Sequence, residues 1–321
     1  MIVITGAAGF IGSCLVAFLN EINFNDLVLV DDFSNPSKKN NWQYKRYTKI
    51  LDRDQWWEWL DLNADQVEII IHLGARTDTT EFNQELLNKL NTNYSKKVWN
   101  KCVEHNIPLI YASSAATYGD GHNGYSDRLT PENLHPLNPY GKSKNDFDAW
   151  ALLQEKSPFF WAGLKFFNVY GPNEYHKGRM ASVIFHAYRQ IKDQGKIRLF
   201  QSHRDGIGHG EQKRDFIYVK DVCEIIFYLM TRRPNVNGLL NVGTGRARSF
   251  NDLANAVFDA LGTQSNIEYI PTPEDIREKY QYFTEADISK LRETGYTGSF
   301  TSLEEGVADY VKQYLIPEKY W

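Results

Sequence analysis

MIVITGAAGFIG, residues 1–12, is the stretch that decides the fold of this 321-residue chain. An apolar run of strand length leads directly into Gly6, Gly9 and Gly12, which are spaced three residues apart. After a buried strand, glycines at this spacing let the backbone turn tightly into a helix, whose free amides can bind a pyrophosphate. The stretch therefore predicts the first strand, turn and helix of a dinucleotide-binding fold.

Further short apolar runs follow, separated by stretches of helical periodicity, at residues 26–30, 68–72, 108–113, 162–167 and 238–245. Strands that alternate with helices are typical of a parallel sheet with helices on both faces. We therefore expect an α/β fold, a Rossmann-like doubly wound parallel sheet. The tryptophan-rich segment 41–60 is interpreted as an amphipathic helix packed against this sheet.

The residue composition changes after Asn168, where loops rich in glycine, proline and histidine begin. Within this region, the segment 214–230 is interpreted as a short strand and a buried helix that return to the sheet. We expect a Rossmann domain that binds the dinucleotide and a smaller, discontinuous α/β domain that binds the substrate. The first comprises residues 1–168 and about 214–242, and the second comprises about 169–213 and 243–321.

Composition excludes several classes of protein. Hydrophobic residues make up 42% of the chain and charged residues 24%, which is typical of a globular chain and not of a disordered or fibrous one. A formal net charge of −4 provides no basic field to attract nucleic acid. Three scattered cysteines indicate neither a disulfide framework nor a metal site. With no signal-peptide pattern and no apolar run of membrane-spanning length, we expect a cytoplasmic protein without a membrane partner.

Candidate catalytic residues follow the fourth predicted strand. Ser114 lies in ASSAATYG, residues 112–119, and Tyr140 and Lys144 lie in NPYGKSK, residues 138–144. Four residues apart on a helix, Tyr140 and Lys144 would share one face. A tyrosine with a pKa of about 10 is a poor base, but a nearby ammonium favours the phenolate and can also bind a nicotinamide ribose. With Ser114 holding a substrate hydroxyl, the three residues predict an oxidoreductive site.

The acidic pair Asp31 and Asp32 ends the second predicted strand, where an adenosine ribose is usually bound. An acid at this position favours NAD, because it bonds the 2′-hydroxyl and repels a 2′-phosphate. Lys38, Lys39 and Arg53 lie nearby and could neutralise the 2′-phosphate of NADP. From these residues alone, both cofactors stay open.

Several motifs carry a resemblance to a known family. TGAAGFIG (5–12), SSAATYG (113–119) and YGKSK (140–144) resemble the extended short-chain dehydrogenase/reductases that act on sugar nucleotides. Longer matches, which are more specific, resemble the ADP-glycero-manno-heptose 6-epimerase family within that group and extend the resemblance nearly to the end of the chain: FFNVYGPNEYHKGRMASV (166–183), KRDFIYVKDV (213–222), NVGTGRARSF (241–250) and IEYIPTPEDIREKYQYFTEADISKL (267–291).

The resemblance implies an isomerase that keeps NADP bound, with NAD as the alternative cofactor. It implies that C6 of the heptose in ADP-D-glycero-D-manno-heptose is oxidised and that hydride returns to the other face, giving the L-glycero epimer for the inner core of lipopolysaccharide. It also implies a homo-oligomer, with homopentamers known in the family. An epimerase must serve two orientations of one hydroxyl, so the resemblance assigns one proton transfer to Tyr140 and the other to Lys177. The alternative role for Lys177 is to bind a diphosphate as a point charge.

The remaining ligands are carried over from the family position by position. The cofactor ligands, together with the glycines of the first turn, are Gly6, Gly9, Phe10, Ile11, Gly12, Asp31, Asp32, Lys38, Arg53, Leu73, Gly74, Ala75, Arg76, Thr77, Asn91, Lys144, Val169 and Lys177. The substrate ligands are Ser114, Asn168, Arg179, His186, Phe200, Gln201, Ser202, Arg214 and Tyr280. Arg214 is the best candidate for the diphosphate because its planar fork of donors suits paired oxygens, and an ion pair with Asp215 is the alternative.

Three departures from the family pattern bear on specificity. Asp32 stands where the family often has asparagine, and this adds negative charge near a 2′-phosphate. Arg179 replaces a serine that would contact the substrate. The loop 203–212 is longer than expected and lies between two substrate-binding stretches, so it is interpreted as a mobile lid.

Other functions are considered against the same residues. A nucleotide-sugar dehydratase usually carries an Asp-Glu pair after the catalytic hydroxyl residue, whereas Ala115 and Ala116 follow Ser114 here. Another nucleotide-sugar epimerase remains an alternative. A non-catalytic NADP-binding scaffold needs only the fold, but such proteins tend to lose the tyrosine or the lysine, and this chain has both.

Overall fold

The computed structural model describes residues 1–277 and 280–321. The strands within these residues are β1 (Ile2–Thr5), β2 (Leu27–Asp31), β3 (Lys49–Asp52), β4 (Ile69–His72), β5 (Leu109–Ser114), β6 (Trp161–Phe166), β7 (Asn168–Tyr170), β8 (Ile197–Phe200), β9 (Lys213–Tyr218), β10 (Gly238–Val242), β11 (Ala247–Ser249) and β12 (Ile267–Ile270). The helices are α1 (Phe10–Glu21), α2 (Lys39–Trp42), α3 (Trp57–Asn63), α4 (Gln84–Leu87), α5 (Tyr94–Glu104), α6 (Pro139–Leu152), α7 (Val183–Gln194), α8 (Val219–Arg232), α9 (Phe250–Leu261), α10 (Glu274–Arg277), α11 (Ser289–Glu293) and α12 (Leu303–Asp309).

Seven strands form one sheet in the order β10-β6-β5-β4-β1-β2-β3, and every pairing in it is parallel. The apolar runs found in the sequence supply six of these strands. The α/β, Rossmann-like fold predicted from their alternation with helices is therefore confirmed. At the carboxyl edge of such a sheet, the loops that follow the strands create a binding crevice.

The sheet is buried on both faces because its strands are apolar on both sides. In β1, Ile2 and Ile4 point into a core that also contains residues of α1 and α8. Val3, between them, points into a second core with Trp99 of α5 and Phe147 of α6. This alternation within one strand requires helices on both faces, which is the doubly wound arrangement.

Two smaller sheets lie in the region that follows β6. In one, β7 and β11 pair with β9, the first parallel and the second antiparallel. In the other, β12 pairs with β8 in parallel. The interpretation of residues 214–230 is therefore only partly right: α8 packs into the same core as the central strands, but β9 joins the small sheet. The division of the chain into two domains stays a prediction.

The segment 41–60 is not the single helix that its tryptophans suggested. Helix α2 ends at Trp42, β3 extends the edge of the sheet beside β2, and α3 begins only at Trp57. Strand β3 is mostly exposed, so it lacks the apolar alternation by which a strand is recognised. Nowhere in residues 1–277 or 280–321 does a helix have the length and apolarity needed to cross a membrane.

Candidate active site

A cleft of about 870 Å³ lies at the carboxyl ends of the central strands. It brings together most of the residues predicted for the cofactor and for catalysis. Its walls include Gly6, Gly9, Phe10, Ile11, Gly12, Asp31, Asp32, Lys38, Arg53, Leu73, Gly74, Ala75, Arg76, Thr77, Ser114, Tyr140, Lys144, Asn168, Val169 and Lys177. The predicted residues that do not line it are Asn91, Arg179, His186, Phe200, Gln201, Ser202, Arg214 and Tyr280.

The glycine turn at the end of β1 depends on missing side chains. Gly6 has a φ of 71°, and a Cβ added to it would lie 2.6 Å from the backbone nitrogen of Gly74. A Cβ on Gly12 would overlap the carbonyl oxygen of Gly6. Gly9 caps α1 without any side-chain hydrogen bond, so the amides of the first helical turn are left for another acceptor. The turn has the form of an anion-binding cradle.

Asp31, at the end of β2, braces this turn. Its buried carboxylate accepts hydrogen bonds from the amides of Ala8 (2.9 Å) and Asp32 (2.7 Å), and from Nζ of Lys38 (3.1 Å). Asp32 is more exposed, and hydrogen bonds from Ser34 keep its pKa below the usual range. The carboxylate of Asp31 is thus used for hydrogen bonds within the protein, whereas Asp32 lies at the rim of the cleft.

Two cations lie beside this acidic pair in the cleft wall. A terminal guanidinium nitrogen of Arg53 lies 3.9 Å from a carboxylate oxygen of Asp32, which is a loose ion pair. Nε of Arg53 is buried and makes no hydrogen bond within the described part of the chain. A carboxylate oxygen of Asp54 lies 3.7 Å from this nitrogen, too far for a hydrogen bond, so the donor can still serve an anionic ligand. Lys38 completes a basic corner at the ends of β2 and β3.

Asn91 supports the cofactor wall from behind and does not line the cleft. Its side chain accepts a hydrogen bond from the amide of Arg76 (2.8 Å) and donates to the carbonyl of the same residue (3.0 Å). It also donates to the hydroxyl of Ser143 on α6 (2.9 Å). It therefore fixes the backbone of the loop after β4 relative to the helix that carries Tyr140.

The catalytic candidates on α6 are positioned by the start of that helix. Asn138 caps the helix by accepting a hydrogen bond from the amide of Gly141 (2.7 Å), and proline occupies the first turn. Tyr140 and Lys144 then lie one turn apart, as predicted. Lys144 is buried, and its Nζ donates to the carbonyl of Ala112 on β5 (2.8 Å), which holds the helix against the strand that ends at Ser114.

The pKa values of Tyr140 and Lys144 differ from the expectation based on the sequence. Burial raises the pKa of Tyr140, and a hydrogen bond with Ser114 offsets this only in part. Burial also lowers the pKa of Lys144, to about 8, while the negative charge of Asp148 opposes the decrease. The expected stabilisation of a phenolate by Lys144 is thus outweighed by desolvation, and this environment favours the neutral phenol.

Lys177 enters the same cleft from a short 3₁₀ turn, Tyr175–Met180. The residue that follows it, Gly178, has a φ of 54°, a conformation that side-chain-bearing residues rarely adopt. Nζ of Lys177 lies 5.0 Å from the centre of the Phe10 ring, beside the glycine turn. Burial lowers the pKa of this amine, and the carboxylate of Glu174 partly restores it.

The remaining substrate candidates form a second group, outside the cleft. The guanidinium of Arg214, on β9, lies between two aromatic rings, 5.6 Å from those of Tyr280 and Phe250. Arg214 makes no ion pair with any described residue. Asp215, proposed as its alternative partner, instead accepts hydrogen bonds from Thr244, Gly245 and Ala286. The carbonyls of Lys213 and Gln281 accept hydrogen bonds from Arg214 and hold its guanidinium beside these rings.

Phe200, Gln201 and Ser202 follow β8 next to this group, and the ring of Phe200 lies 5.9 Å from that of Tyr280. The amide of Ser202 donates to Nδ1 of His209 (3.0 Å). The second half of the loop 203–212 is bonded to the start of α9, through the side chain and the amide of Asn251. These bonds disfavour a mobile lid over residues 209–212.

Comparisons with known proteins place the chain in a family. The NAD dependent epimerase/dehydratase family matches residues 2–243. An ADP-L-glycero-D-manno-heptose-6-epimerase of Fusobacterium nucleatum is 49% identical, with 99% of both chains covered. A protein of the same name from Nitratidesulfovibrio vulgaris (strain DP4) is also 49% identical, with 98% of both chains covered. The chain belongs to the ADP-L-glycero-D-manno-heptose-6-epimerase family. It is therefore an epimerase, and its cofactor is a nicotinamide nucleotide.

A solved structure carries the same family name. The Helicobacter pylori ADP-L-glycero-D-manno-heptose-6-epimerase superposes with a TM-score of 0.80 at 29% identity and covers 97% of this chain and 95% of its own. The fold and the family resemblance expected from the motifs are thus both confirmed.

Arg179 is one of the positions at which this member of the heptose-epimerase family departs from the expected pattern. Its exposed guanidinium lies 3.1 and 3.4 Å from the two carboxylate oxygens of Asp78 and also contacts Thr80. Hydrogen bonds from Thr80, followed by Arg179, lower the pKa of Asp78 to about 2. His186 lies beside it, with Nε2 3.3 Å from the Arg179 carbonyl. Neither residue lines the cleft, but Arg179 contacts Asp78, which does.

The heptose-epimerase cleft also contains residues that the sequence reasoning did not select. They are Thr5, Val30, Asn35, Asp78, Thr79, Leu86, Leu90, Tyr94, Ala112, Ser113, Phe166, Phe167, Tyr170, His176, Met180, Ala181, Ser182, Val183, Ile184 and Phe216. The polar run TDTT, residues 77–80, was a usable signal because it lies in the loop after the predicted strand 68–72. The apolar members carry no such signal in the sequence.

Proposed function

We propose that this epimerase inverts C6 of the heptose in ADP-D-glycero-D-manno-heptose, giving ADP-L-glycero-D-manno-heptose, with NADP as the hydride carrier. The observation that carries the proposal is the single cleft in which the glycine cradle, Ser114, Tyr140 and Lys177 meet. Relatives nearly half identical over almost the whole chain bear the name of this activity. The product would serve the inner core of lipopolysaccharide.

Three features of the cleft fit NADP. The cradle excludes side chains where a pyrophosphate would lie, and the buried Nε of Arg53 has no acceptor among the described residues. Lys38, which bonds Asp31, lines the same cleft, so two cations can face a 2′-phosphate there. The carboxylate of Asp31, which would otherwise select a 2′-hydroxyl, is already bonded by two amides and Lys38. The cradle suits both cofactors, whereas the two cations and the bonded carboxylate of Asp31 support NADP over NAD despite the extra charge of Asp32.

When bound, the nicotinamide supplies a hydride acceptor and then a hydride donor. The protein has to move a proton to and from the C6 oxygen on two sides. We assign one transfer to Tyr140, with Ser114 orienting the hydroxyl, and the other to Lys177. Both act as acid in one direction and as base in the other. Lys144, bonded to Ala112, is in position to bind the nicotinamide ribose and to hold α6.

The nucleotide part of the substrate is assigned to the second group of residues. The guanidinium of Arg214 lies 5.6 Å from the ring centres of Tyr280 and Phe250 and has no carboxylate partner among the residues described, so its charge remains for a diphosphate. Phe200, Gln201 and Ser202 would contact the same moiety, and Asn168 the sugar. Arg179 and His186 are assigned to the outer part of the bound substrate.

The test is an epimerisation assay with purified protein and no added cofactor. ADP-D-glycero-D-manno-heptose is incubated with the protein, and the two C6 epimers are separated by chromatography. We expect conversion to a mixture rich in the L-glycero form, sustained by NADP that is purified with the protein. Failure to convert the substrate, even with NADP or NAD supplied, would contradict the heptose assignment. Release of NAD instead of NADP on denaturation would contradict the cofactor assignment alone.

Assembly and location are further proposals. We propose a homo-oligomer, a homopentamer by resemblance to the family, in the cytoplasm and without nucleic-acid or membrane partners. Light scattering of the purified protein would give the number of subunits directly, and a monomer would contradict the assembly proposal.

A further inference from the structure

Glu174 is a fully buried carboxylate, with 0% of its surface exposed, three residues before Lys177. Its carbonyl accepts a hydrogen bond from the amide of Lys177 (2.9 Å), which closes the turn that carries the lysine. A buried carboxylate is costly unless it is hydrogen-bonded and faces a positive charge. Its partners therefore indicate why it is there.

The carboxylate of Glu174 joins three separate parts of the chain. It accepts hydrogen bonds from the amide and the hydroxyl of Ser182, at 2.5 and 2.6 Å. Ser182 is the residue that caps α7. It also accepts a hydrogen bond from the hydroxyl of Tyr310 (2.9 Å), which lies in a π-helical turn, Tyr310–Leu315, that continues α12. The start of the Lys177 turn is thereby bonded to both helical elements.

We propose that Glu174 is the positioning residue of Lys177: it fixes the turn that presents the amine to the cleft, and it supplies the negative charge that faces this amine. The inference rests on the proposed function, because it treats Lys177 as one of the two acid–base residues. Glu174 itself does not line the cleft and is not assigned any contact with substrate or cofactor.

The charges around the pair determine the direction of the effect. Tyr310, Tyr175 and Cys14 also face Glu174, and all three are neutral in this environment because burial raises their pKa. Burial raises the pKa of Glu174, while the charge of Lys177 and the hydrogen bonds from Ser182 and Tyr310 oppose this increase.

Lys177 faces Glu174, the ring of Phe10 and His176. Burial lowers the pKa of His176 to about 4, so that residue is uncharged at neutral pH. Glu174 is therefore the opposing charge that holds the pKa of Lys177 up against desolvation. Removing this charge lowers the pKa of the amine further.

The test compares the wild-type protein with Glu174→Gln, a substitution that keeps the size of the side chain and an acceptor for Ser182. In pH profiles of kcat for epimerisation, the limb that reports Lys177 should move to lower pH by about one unit, the size expected when an opposing charge is lost. KM for the sugar nucleotide should change less than kcat, because Glu174 does not contact the ligand.

A second readout does not depend on activity. Competitive acetylation of Lys177, followed by peptide mass spectrometry across a pH series, measures the fraction of neutral amine. In Glu174→Gln, the midpoint of reactivity should lie at lower pH than in the wild type. Tyr310→Phe keeps the charge but removes one bond to the carboxylate, so we expect kcat to fall about fivefold with the acetylation midpoint nearly unchanged.

Tyr188→Phe is the matched control. The Tyr188 hydroxyl donates to the carbonyl of Leu315 (3.1 Å), so it bonds the same helical turn as Tyr310 but does not touch Glu174. Its kcat and pH profile should equal those of the wild type. If Glu174→Gln fails to fold, a Tyr310→Phe kcat equal to that of Tyr188→Phe overturns the proposal.

The outcomes separate the two levels of inference. An active wild type whose Lys177 limb and acetylation midpoint are unmoved in Glu174→Gln overturns the positioning role. A wild type that fails to epimerise the heptose, but whose acetylation midpoint moves in the variant, supports the contact with Lys177 and contradicts the proposed function.

Discussion

Tyr140 and Lys177 reach one cleft from different kinds of support. Tyr140 lies in the first turn of α6, which is capped by the side chain of Asn138 and held against β5 by the bond from Lys144 to Ala112. Lys177 lies in a single 3₁₀ turn, whose geometry depends on Gly178 and on the buried carboxylate of Glu174. A residue on a helix is positioned by backbone register, whereas a residue on a turn needs side chains to hold it.

The largest effect is expected from Tyr140→Phe, which removes the acid–base group carried by α6. The substitution leaves α6 and its cap intact but removes the hydroxyl, so we expect kcat to fall about 10⁴-fold, near the upper range for general acid–base catalysis. Steady-state rates of epimer conversion measure this. A non-catalytic scaffold would bind NADP with unchanged affinity in the variant and would have no rate to lose.

Lys177→Met should reduce kcat about 10³-fold. It also tests which C6 epimer each of the two residues serves. If each residue serves one orientation of the C6 hydroxyl, each variant keeps one half-reaction. Single-turnover reduction of the bound cofactor, followed by absorbance, should persist with one epimer in Lys177→Met and with the other epimer in Tyr140→Phe. Loss of reduction with both epimers in Lys177→Met would contradict the division of labour and would favour a diphosphate-binding role for the lysine.

The pH dependence of the free energy of unfolding tests the burial of Lys144, which supports Tyr140 on α6. Burial lowers the pKa of Lys144 to about 8 from an ordinary 10.5, so the folded state binds this proton less tightly than the unfolded chain. Below pH 8 the penalty is fully present, and it disappears as the pH rises from about 8 to 10.5. The free energy of unfolding should therefore rise by about 3 kcal/mol over this window relative to Lys144→Met. Denaturant unfolding of both proteins at several pH values measures the difference, and parallel curves would contradict the assignment.

A smaller effect is expected from Gly141→Ala, which tests the contact between α6 and the segment after β5. A Cβ at this position would lie 2.7 Å from the carbonyl oxygen of Ala116, so the helix has to shift by a few tenths of an ångström. We expect kcat to fall about 10-fold through misplacement of Tyr140. The acetylation midpoint of Lys177 should stay unchanged, because the turn has separate support.

Gly238→Ala is the control for this substitution. An added Cβ there would meet only Nζ of Lys290, at 3.4 Å, which is an ordinary contact. The rate of this variant should match that of the wild type. A kcat loss in Gly141→Ala that is accompanied by a shift of the Lys177 midpoint would show that the two supports are coupled and would break the comparison.

The same contrast explains what could be predicted from the sequence. The glycine turn, the strands and the Tyr140–Lys144 spacing are local patterns, and they hold in the structure because backbone geometry determines them. The role of Glu174 depends on Tyr310, which is 136 residues away in the chain, and no local pattern records such a contact. The supporting role of Asn91 was likewise invisible, because it depends on where the loop after β4 meets α6.

Other failures have equally physical causes. Strand β3 was missed because most of its residues are exposed, and edge strands need no apolar alternation. β9 was assigned to the main sheet because its apolar end, residues 216–218, fits any buried strand, and only pairing with β7 and β11 decides its partner. The pKa of Tyr140 was judged from the charge of Lys144 alone, whereas burial dominates at this site.

The central claim is that one carbon is oxidised and reduced in this cleft, with hydride leaving and returning. The most direct measurement uses ADP-D-glycero-D-manno-heptose carrying deuterium at C6, with the isotope content of both epimers followed by mass spectrometry. The account predicts that the L-glycero product keeps the deuterium, because the hydride is returned from the bound nicotinamide. Exchange of the deuterium for solvent hydrogen during inversion would contradict it and would indicate direct proton removal from C6.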